Sequence, residues 1–223
     1  MHKKTNCSAI FLIFIAWNTI AQTQDRDVIK QYPQKVNTVI KSNPAAIIWG
    51  VIPFTAEYRY LEELTVGLRQ STQFGVSYLG KSIVLKILED SLRKYRNYHF
   101  MVHGFRLQVA HRFYLSKKYF SPRGYYVSPQ ISYATARFTT SYYNQYNMYV
   151  QGTHFNLNIL GGYQAFLSKR LILDMFAGIG YKKNHWEKHL AQTQIAPVDL
   201  SKFPQPYHWD VKITFGFNLG WTY

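Results

Sequence analysis

The last 17 residues of the chain alternate strictly between two kinds of side chain. Every odd position from Tyr207 to Tyr223 is apolar or aromatic, and every even position is polar or glycine. Because successive side chains of a β-strand point to opposite faces, this segment predicts a strand with one apolar face and one polar face. A soluble strand usually has about five or six residues, whereas a strand that crosses a membrane at a tilt needs about 9–11. The length therefore indicates a membrane-crossing strand.

The same alternation recurs in six earlier segments. They begin near Phe54, Thr72, Met101, Tyr125, Phe155 and Leu171. Their apolar registers contain no Lys, Arg, Asp or Glu, since a charge that faces lipid costs about 2–4 kcal/mol at mid-bilayer. The opposite registers of these six segments and of the last segment together contain seven charged residues. These are Glu57, Arg59, Arg106, Arg112, Asp174, Asp210 and Lys212. We predict that they form a structural charge network in the barrel lumen, because buried charges need partners. A secreted soluble barrel, polar outside and apolar inside, is the alternative.

The composition agrees with a lipid-facing surface. Charged residues make up 17% of the chain and aromatic residues another 17%, whereas about a quarter of an ordinary soluble domain is charged. Tyr207, Trp209, Trp221 and Tyr223 flank an apolar middle in the last strand, which predicts an interfacial aromatic girdle. The formal charge of +15 comes from basic residues scattered through turns and loops. This scatter fits an anionic lipid surface at least as well as a nucleic-acid groove, and we predict no nucleic-acid partner.

The links between strands differ in length and assign the two sides of the membrane. Short links are predicted at 68–71, 116–123 and 168–170, and long ones at 80–98, 140–148 and 182–206. Outer-membrane barrels have short periplasmic turns and long outer loops. Closure then requires an eighth strand, and 36–49 is the candidate although Pro44 interrupts it. The prediction is an all-β fold, an eight-stranded antiparallel up-and-down transmembrane β-barrel over 36–223, with both ends periplasmic.

The N-terminus has the order of a secretory signal. A basic start at 2–4 precedes an apolar stretch at 9–17 that is too short to span a bilayer, and small residues precede a cleavage site after Ala21. An amphipathic N-terminal helix is the alternative. We predict a cleaved signal peptide at 1–21 and a short periplasmic lead at 22–35. Cys7, the only cysteine, precedes the apolar stretch, so no lipid anchor and no disulfide are expected.

One long link has a helical pattern. Apolar residues at 83, 84, 87, 88 and 92 follow helical spacing, and Ser82 is placed to cap a helix. Basic residues at 86, 93, 94 and 96 leave two interpretations open. The helix either lies at the outer surface against lipopolysaccharide phosphates or packs over the barrel mouth.

The histidines are the remaining candidates for chemistry. His185 and His189 could share a metal if their segment were helical, but this segment is predicted as a loop and lacks a zinc-protease pattern. His103 and His111 lie in the lipid-facing register without a serine and an acid in matching registers. We therefore predict no catalytic residue, no cofactor and no metal site.

Several short motifs resemble those of a known family. They are Asn43-Pro44, the Ala-Glu-Tyr-Arg run at 56–59, the run at 73–80, the turn at 115–118 followed by 122–126, and the final aromatic Tyr223. The chain resembles small outer-membrane proteins of unknown function within the outer-membrane protein A/X/W-like barrel superfamily. The resemblance covers nearly all of the mature chain. It implies a fold and a location, and no catalytic residue comes with it. The terminal aromatic residue is similar to a barrel-assembly signal.

The expected function follows from this architecture. We predict an integral outer-membrane protein of a Gram-negative envelope with a structural or surface-interaction role and no catalysis. One alternative is a narrow channel or a binding pocket for a small apolar molecule, and a further one is a lipid-modifying outer-membrane enzyme. The expected partners are outer-membrane lipids, lipopolysaccharide and the barrel-assembly machinery through the C-terminal strand. The protein is expected to be a monomer.

Overall fold

Long antiparallel strands follow one another around a closed wall. The computed structural model describes residues 38–47, 52, 55–93, 99–116, 120–140, 148–189, 195–197 and 210–222. The strands are β1 (Thr38–Ser42), β2 (Thr55–Gly67), β3 (Gln70–Lys81), β4 (Phe100–Tyr114), β5 (Gly124–Thr140), β6 (Tyr149–Phe166), β7 (Leu171–His189), β8 (Ile195–Pro197) and β9 (Val211–Thr222). The described helices are α1 (Ile83–Arg93) and a 3-10 turn at Pro44–Ile47.

Eight of these strands close the barrel. Each of β1 to β7 pairs antiparallel with the next, β9 pairs with β7, and β1 completes the ring by pairing with both β2 and β9. The ninth, β8, pairs only with the end of β7, so it lies outside the ring. The predicted eight-stranded up-and-down barrel is therefore confirmed. We call the end with the short connections the turn end and the opposite end the loop end.

The side chains sort by parity along each strand. In β9, Ile213 and Phe215 are 76% and 81% exposed on the outer face, while Asn218 is buried inside. The other barrel strands repeat this order, with apolar residues outside and polar residues such as Gln73, Gln108 and Asn156 buried inside. A soluble barrel has the opposite arrangement because its outer face contacts water.

The first strand is shorter than the predicted segment 36–49. It ends at Ser42, and the chain turns at Pro44–Ile47. The backbone N–H of Ala46 donates to the Asn43 side-chain oxygen at 3.0 Å, while Pro44 has no N–H to give to a strand ladder. Since β1 is so short, it pairs with β9 only from Leu219 to Thr222.

The long loop predicted at 182–206 is wrong in part. β7 continues to His189, paired with β6 throughout, and β8 adds Ile195–Pro197 at its end. This extension is rich in polar residues on both faces. Alternation therefore vanishes there although the backbone ladder continues, which is why the hydrophobic pattern could not reveal it.

The predicted helix lies between β3 and β4. Ser82 caps it, since the Leu85 N–H donates to the Ser82 hydroxyl oxygen at 3.1 Å. Its apolar residues at 83, 84, 87 and 88 are exposed, and Leu85 and Glu89 are buried instead. The side of the helix that carries Leu85 and Glu89 therefore packs against the protein, and its apolar side faces outward. In the part of the chain that the structure describes, no helix has the length and apolar character needed to cross a membrane.

Candidate functional site

Two groups of charged side chains occupy the barrel interior. The first, which we call the turn-side cluster, comprises Lys41, Glu63, Arg112 and Asp174. The Lys41 ammonium contacts Glu63 and lies 3.1 Å from Asp174 Oδ2. Arg112 donates to Asp174 Oδ2 at 2.8 Å and lies 3.6 Å from Glu63 Oε2. Two carboxylates thus face two cations, and all four side chains are almost completely buried.

Two tyrosines complete the turn-side cluster. Tyr114 donates to Glu63 Oε1 at 2.6 Å, and Tyr126 donates to Asp174 Oδ1 at 2.7 Å. Tyr126 fits because it packs against Gly162, where an added Cβ would collide with the Tyr126 hydroxyl oxygen. Since buried charges are tolerated only with excellent geometry and further hydrogen bonds, these hydroxyls belong to the cluster as much as the ion pairs do.

The second group, the loop-side cluster, comprises Glu57, Arg59, Arg106 and Lys212. Glu57 Oε1 accepts hydrogen bonds from Arg59 at 2.8 Å, from Arg106 at 3.1 Å and from the Ser77 hydroxyl at 2.8 Å. Lys212 forms no ion pair among the described residues, and its ammonium lies 3.5 Å from Asn156 Oδ1. One carboxylate therefore faces three cations.

A cavity of about 390 Å³ lies between the two clusters. Members of both clusters line it, including Arg59, Arg106, Arg112 and Lys212. We call it the chamber. Ile213 and Phe215, whose side chains are exposed on the outer face, also line the chamber, so it meets the outer surface beside β9.

The structure separates the seven charged residues predicted for the lumen. Six of them are divided between the clusters: Arg112 and Asp174 at the turn side, and Glu57, Arg59, Arg106 and Lys212 at the loop side. The placement of Asp210 is a correction. It is exposed just before β9 begins, where its backbone carbonyl accepts a hydrogen bond from the Lys182 N–H at 2.6 Å. A carboxylate at this position remains in water and does not neutralise the interior cations.

Sequence reasoning missed Lys41 and Glu63. Glu63 keeps the inward parity of Glu57 and Arg59 but lies beyond Tyr60, where the predicted strand ended. Continuing the same register through Leu61 would have found it. Lys41 lies in β1, whose five residues are too few to show a clear alternation.

His103 and His111 lie on the outer face of β4, outside the chamber. Tyr78 contacts His103 Nδ1 at 2.7 Å, and Thr72 contacts His111 Nδ1 at 3.0 Å. Among the described residues, neither imidazole contacts a serine or a carboxylate.

The histidine pair in β7 is on a strand and not in a loop. His185 and His189 flank Glu187, which lies 2.9 Å and 3.6 Å from their Nε2 atoms. Within the described ranges, no group of three or more His, Cys, Asp or Glu side chains is arranged to hold a metal.

Of the four residues predicted for the aromatic girdle, the structure describes Trp221. Trp221 is half-exposed on the outer face of β9 at the turn end. Tyr207, Trp209, Tyr223, the signal peptide at 1–21 and the lead at 22–35 lie outside the described residues.

Comparison with known proteins gives a distant structural similarity and no match in sequence. No protein-family model matches this chain, and no curated protein sequence matches it. Among solved structures, the chain is similar to a major outer membrane protein from Thermus thermophilus, with 10% identity and a TM-score of 0.47. The similarity covers 85% of this chain and 100% of that chain. At this distance, the function has to be argued from the residues themselves.

Proposed function

We propose that this chain is an integral outer-membrane β-barrel with a structural or surface-interaction role and no catalysis. The observation that carries the proposal is the inversion of the barrel, since charged and amide side chains are buried inside while apolar side chains cover the outside. In water, an outer face of this kind would expose a continuous apolar patch far larger than soluble monomers tolerate. Only lipid offers it a favourable environment.

The order of side chains along the outer face supports the same location. Aromatic residues are frequent towards both ends, and the residues between them are mostly aliphatic, with Phe74, Phe215 and Phe217 as exceptions. The loop-end belt includes Tyr58, Tyr78, Phe105 and Tyr133, and the turn-end belt includes Phe113, Tyr125, Tyr163 and Trp221. Between them, an apolar surface groove of about 710 Å³ is lined by Val109, Ile131, Ile159 and Ile179 among others. Two aromatic girdles around an aliphatic band are typical of transmembrane barrels.

Helix α1 extends the apolar surface beyond the strands. Ile83, Val84, Ile87 and Leu88 are 40–62% exposed along one side, while Glu89 on the barrel side accepts hydrogen bonds from Lys81 and from the Phe100 N–H. A helix anchored on its polar side and apolar on its exposed side is suited to the membrane interface. We propose that it contacts outer-leaflet lipid, with lipopolysaccharide as the lipid in a Gram-negative envelope.

The first experiment is fractionation of cells that express the full chain. We expect the protein in the outer-membrane fraction, with a gel mobility that changes on heating because a barrel keeps its compact shape in detergent until heated. Recovery as a soluble protein without a mobility shift would contradict the location. Size-exclusion chromatography in detergent should give a monomer.

A pair of variants tests the lipid contact directly. Phe215→Arg places a charge in the middle of β9, and Val211→Arg places the same charge at its loop end. In a bilayer, the first change should cost about 2–4 kcal/mol and the second about 0–1 kcal/mol. Equal and small effects would show that no hydrocarbon surrounds β9.

The proposed absence of catalysis has its own test. Substitution of His103 or His111 by Ala should leave the lipid profile of the outer membrane unchanged, because in the described part of the chain neither imidazole contacts a carboxylate that could orient it toward the Tyr78 or Thr72 hydroxyl beside it. A changed lipid profile in either variant would support the enzyme alternative. Truncation of the last strand should block insertion if this strand engages the assembly machinery.

A further inference from the structure

The chamber has an excess of positive charge that the fold itself does not neutralise. Arg59, Arg106 and Lys212 line it, and Glu57 is the carboxylate that pairs with the two arginines. The turn-side cluster, which bounds the chamber on the other side, is balanced within itself. Among the described residues, two positive charges therefore remain in a largely buried space, where charges are normally paired.

Lys212 is the clearest of these groups. Its ammonium has one weak contact among the described residues, at 3.5 Å to Asn156 Oδ1. An ammonium has three N–H donors, so most of its hydrogen-bonding capacity is unused. An inward-facing lysine without a carboxylate partner costs stability, and a folded chain gains nothing from it unless another group neutralises it.

Other polar atoms around the chamber also lack partners. They include two groups that could donate to an anion, Arg106 Nε and the Thr214 hydroxyl, which follows Lys212 on the same face of β9. Buried polar atoms usually have hydrogen-bond partners. Their concentration around one cavity indicates a polar ligand, and the nearby cations select an anionic one.

We propose that the chamber binds one oxyanion group, a phosphate or a carboxylate, held by Lys212 with Arg59 and Arg106. Charge-assisted hydrogen bonds from lysine and arginine are the strongest that such a group forms in proteins. The proposal does not depend on the location of the protein in the cell, because the site is built from interior side chains.

The bound oxyanion group could belong to a free anion or to the headgroup of an amphiphile. A free anion would enter from the loop end, whereas an amphiphile would place its headgroup inside and its tail past Ile213 and Phe215, where the chamber meets the outer surface. The turn-side cluster closes the opposite path, so the chamber is a binding site and not a through channel.

The test is calorimetric titration of the full chain, refolded in an uncharged detergent, at constant ionic strength. Inorganic phosphate is the first probe and dodecyl phosphate the second. Saturable binding of either probe is expected. Similar affinities would identify a free anion as the ligand, and at least about tenfold tighter binding of dodecyl phosphate would identify an amphiphile. Absence of binding by both probes would overturn the proposal.

Two variants and a matched control locate the site. Lys212→Met should weaken binding by about tenfold or more, the effect of one charged hydrogen bond. Lys183→Met removes the same charge from the exposed face of β7 and should leave the affinity unchanged. Glu57→Gln should tighten binding, because it removes the competing carboxylate. Unchanged affinity in Lys212→Met, or weaker binding in Glu57→Gln, would place the bound anion elsewhere. Should one variant fail to refold, the other still decides.

Discussion

The two interior clusters are both built from acidic and basic side chains, but they differ in the balance between carboxylates and cations. In the turn-side cluster, two carboxylates meet two cations, and Tyr114 and Tyr126 satisfy the remaining carboxylate oxygens. In the loop-side cluster, Glu57 alone meets three cations, and Lys212 stays outside its hydrogen bonds. The balanced cluster is neutral within itself, and the unbalanced one leaves the excess of cations that the proposed ligand would neutralise. Charged residues in a barrel lumen therefore do not by themselves distinguish a structural ion-pair cluster from a ligand-binding site.

The largest expected effect contrasts one lysine of each cluster. Lys41→Met should lower the free energy of unfolding by about 3–5 kcal/mol, since it leaves Glu63 and Asp174 with Arg112 as their single cation. The measurement is urea unfolding of the barrel in lipid vesicles. Lys183→Met, on the exposed face, is the control and should stay within about 0.5 kcal/mol of the parent. A loss as small as the control would mean that the turn-side cluster does not seal the lumen.

Adjacent glycines offer the next contrast. Gly162→Ala should cost about 1–3 kcal/mol, because the new methyl group would displace Tyr126 and its hydrogen bond to Asp174. Gly161→Ala has nothing within 4 Å of the added carbon and should change stability little. The same urea titration measures both. Equal effects would show that Tyr126 is free to move without loss to the cluster.

Removing one serine hydroxyl from each cluster compares how much the hydrogen bonds of the two clusters contribute to stability. Ser71 donates to Glu63 in the turn-side cluster, whereas Ser132 accepts a longer bond of 3.3 Å from Arg106 in the loop-side cluster. Ser71→Ala should cost about 1.5 kcal/mol and Ser132→Ala about 0.5 kcal/mol, as expected for a strong and a weak bond to a charged group. A reversed order would break the distinction between a tight seal and a loose site.

The smallest effect has the opposite sign. Lys212→Met should raise the free energy of unfolding by about 1 kcal/mol without added anion, because it removes an interior cation that has no carboxylate partner among the described residues. Thermal unfolding in detergent with and without phosphate measures it, and phosphate should stabilise the parent but not the variant. A destabilised variant would show that Lys212 belongs to a structural network after all.

Most of the barrel strands could be predicted because the alternation of apolar and polar residues is visible within each strand. The alternation of Ile213 and Phe215 with Lys212 and Thr214 needs no knowledge of the rest of the chain, and it assigns the two faces. The lengths of the links and the need to close the wall gave the two sides of the membrane and the even strand count. The prediction failed where this signal is weak. In β1 the strand is only five residues long, and in the extension of β7 up to His189 both faces are rich in polar residues.

The candidate site was predictable only as a set of inward positions. Parity placed Arg112 and Asp174 inside, but these residues are 62 positions apart and meet across the lumen. Parity likewise placed Asp210 and Lys212 on the same face, yet one is exposed beyond the strand and the other lines the chamber. Height along the barrel decides between these outcomes, and the sequence pattern carries no measure of height.

The sequence by itself thus determined which side chains face in and which face out, because a period of two residues is a property of each strand alone. The tertiary structure decided which charges are paired and which are left over. Partners across the lumen come from different strands, and the stagger of those strands around the closed wall sets their relative heights. That stagger brings Lys41, Glu63, Arg112 and Asp174 together and leaves Lys212 in the chamber without a carboxylate partner among the described residues.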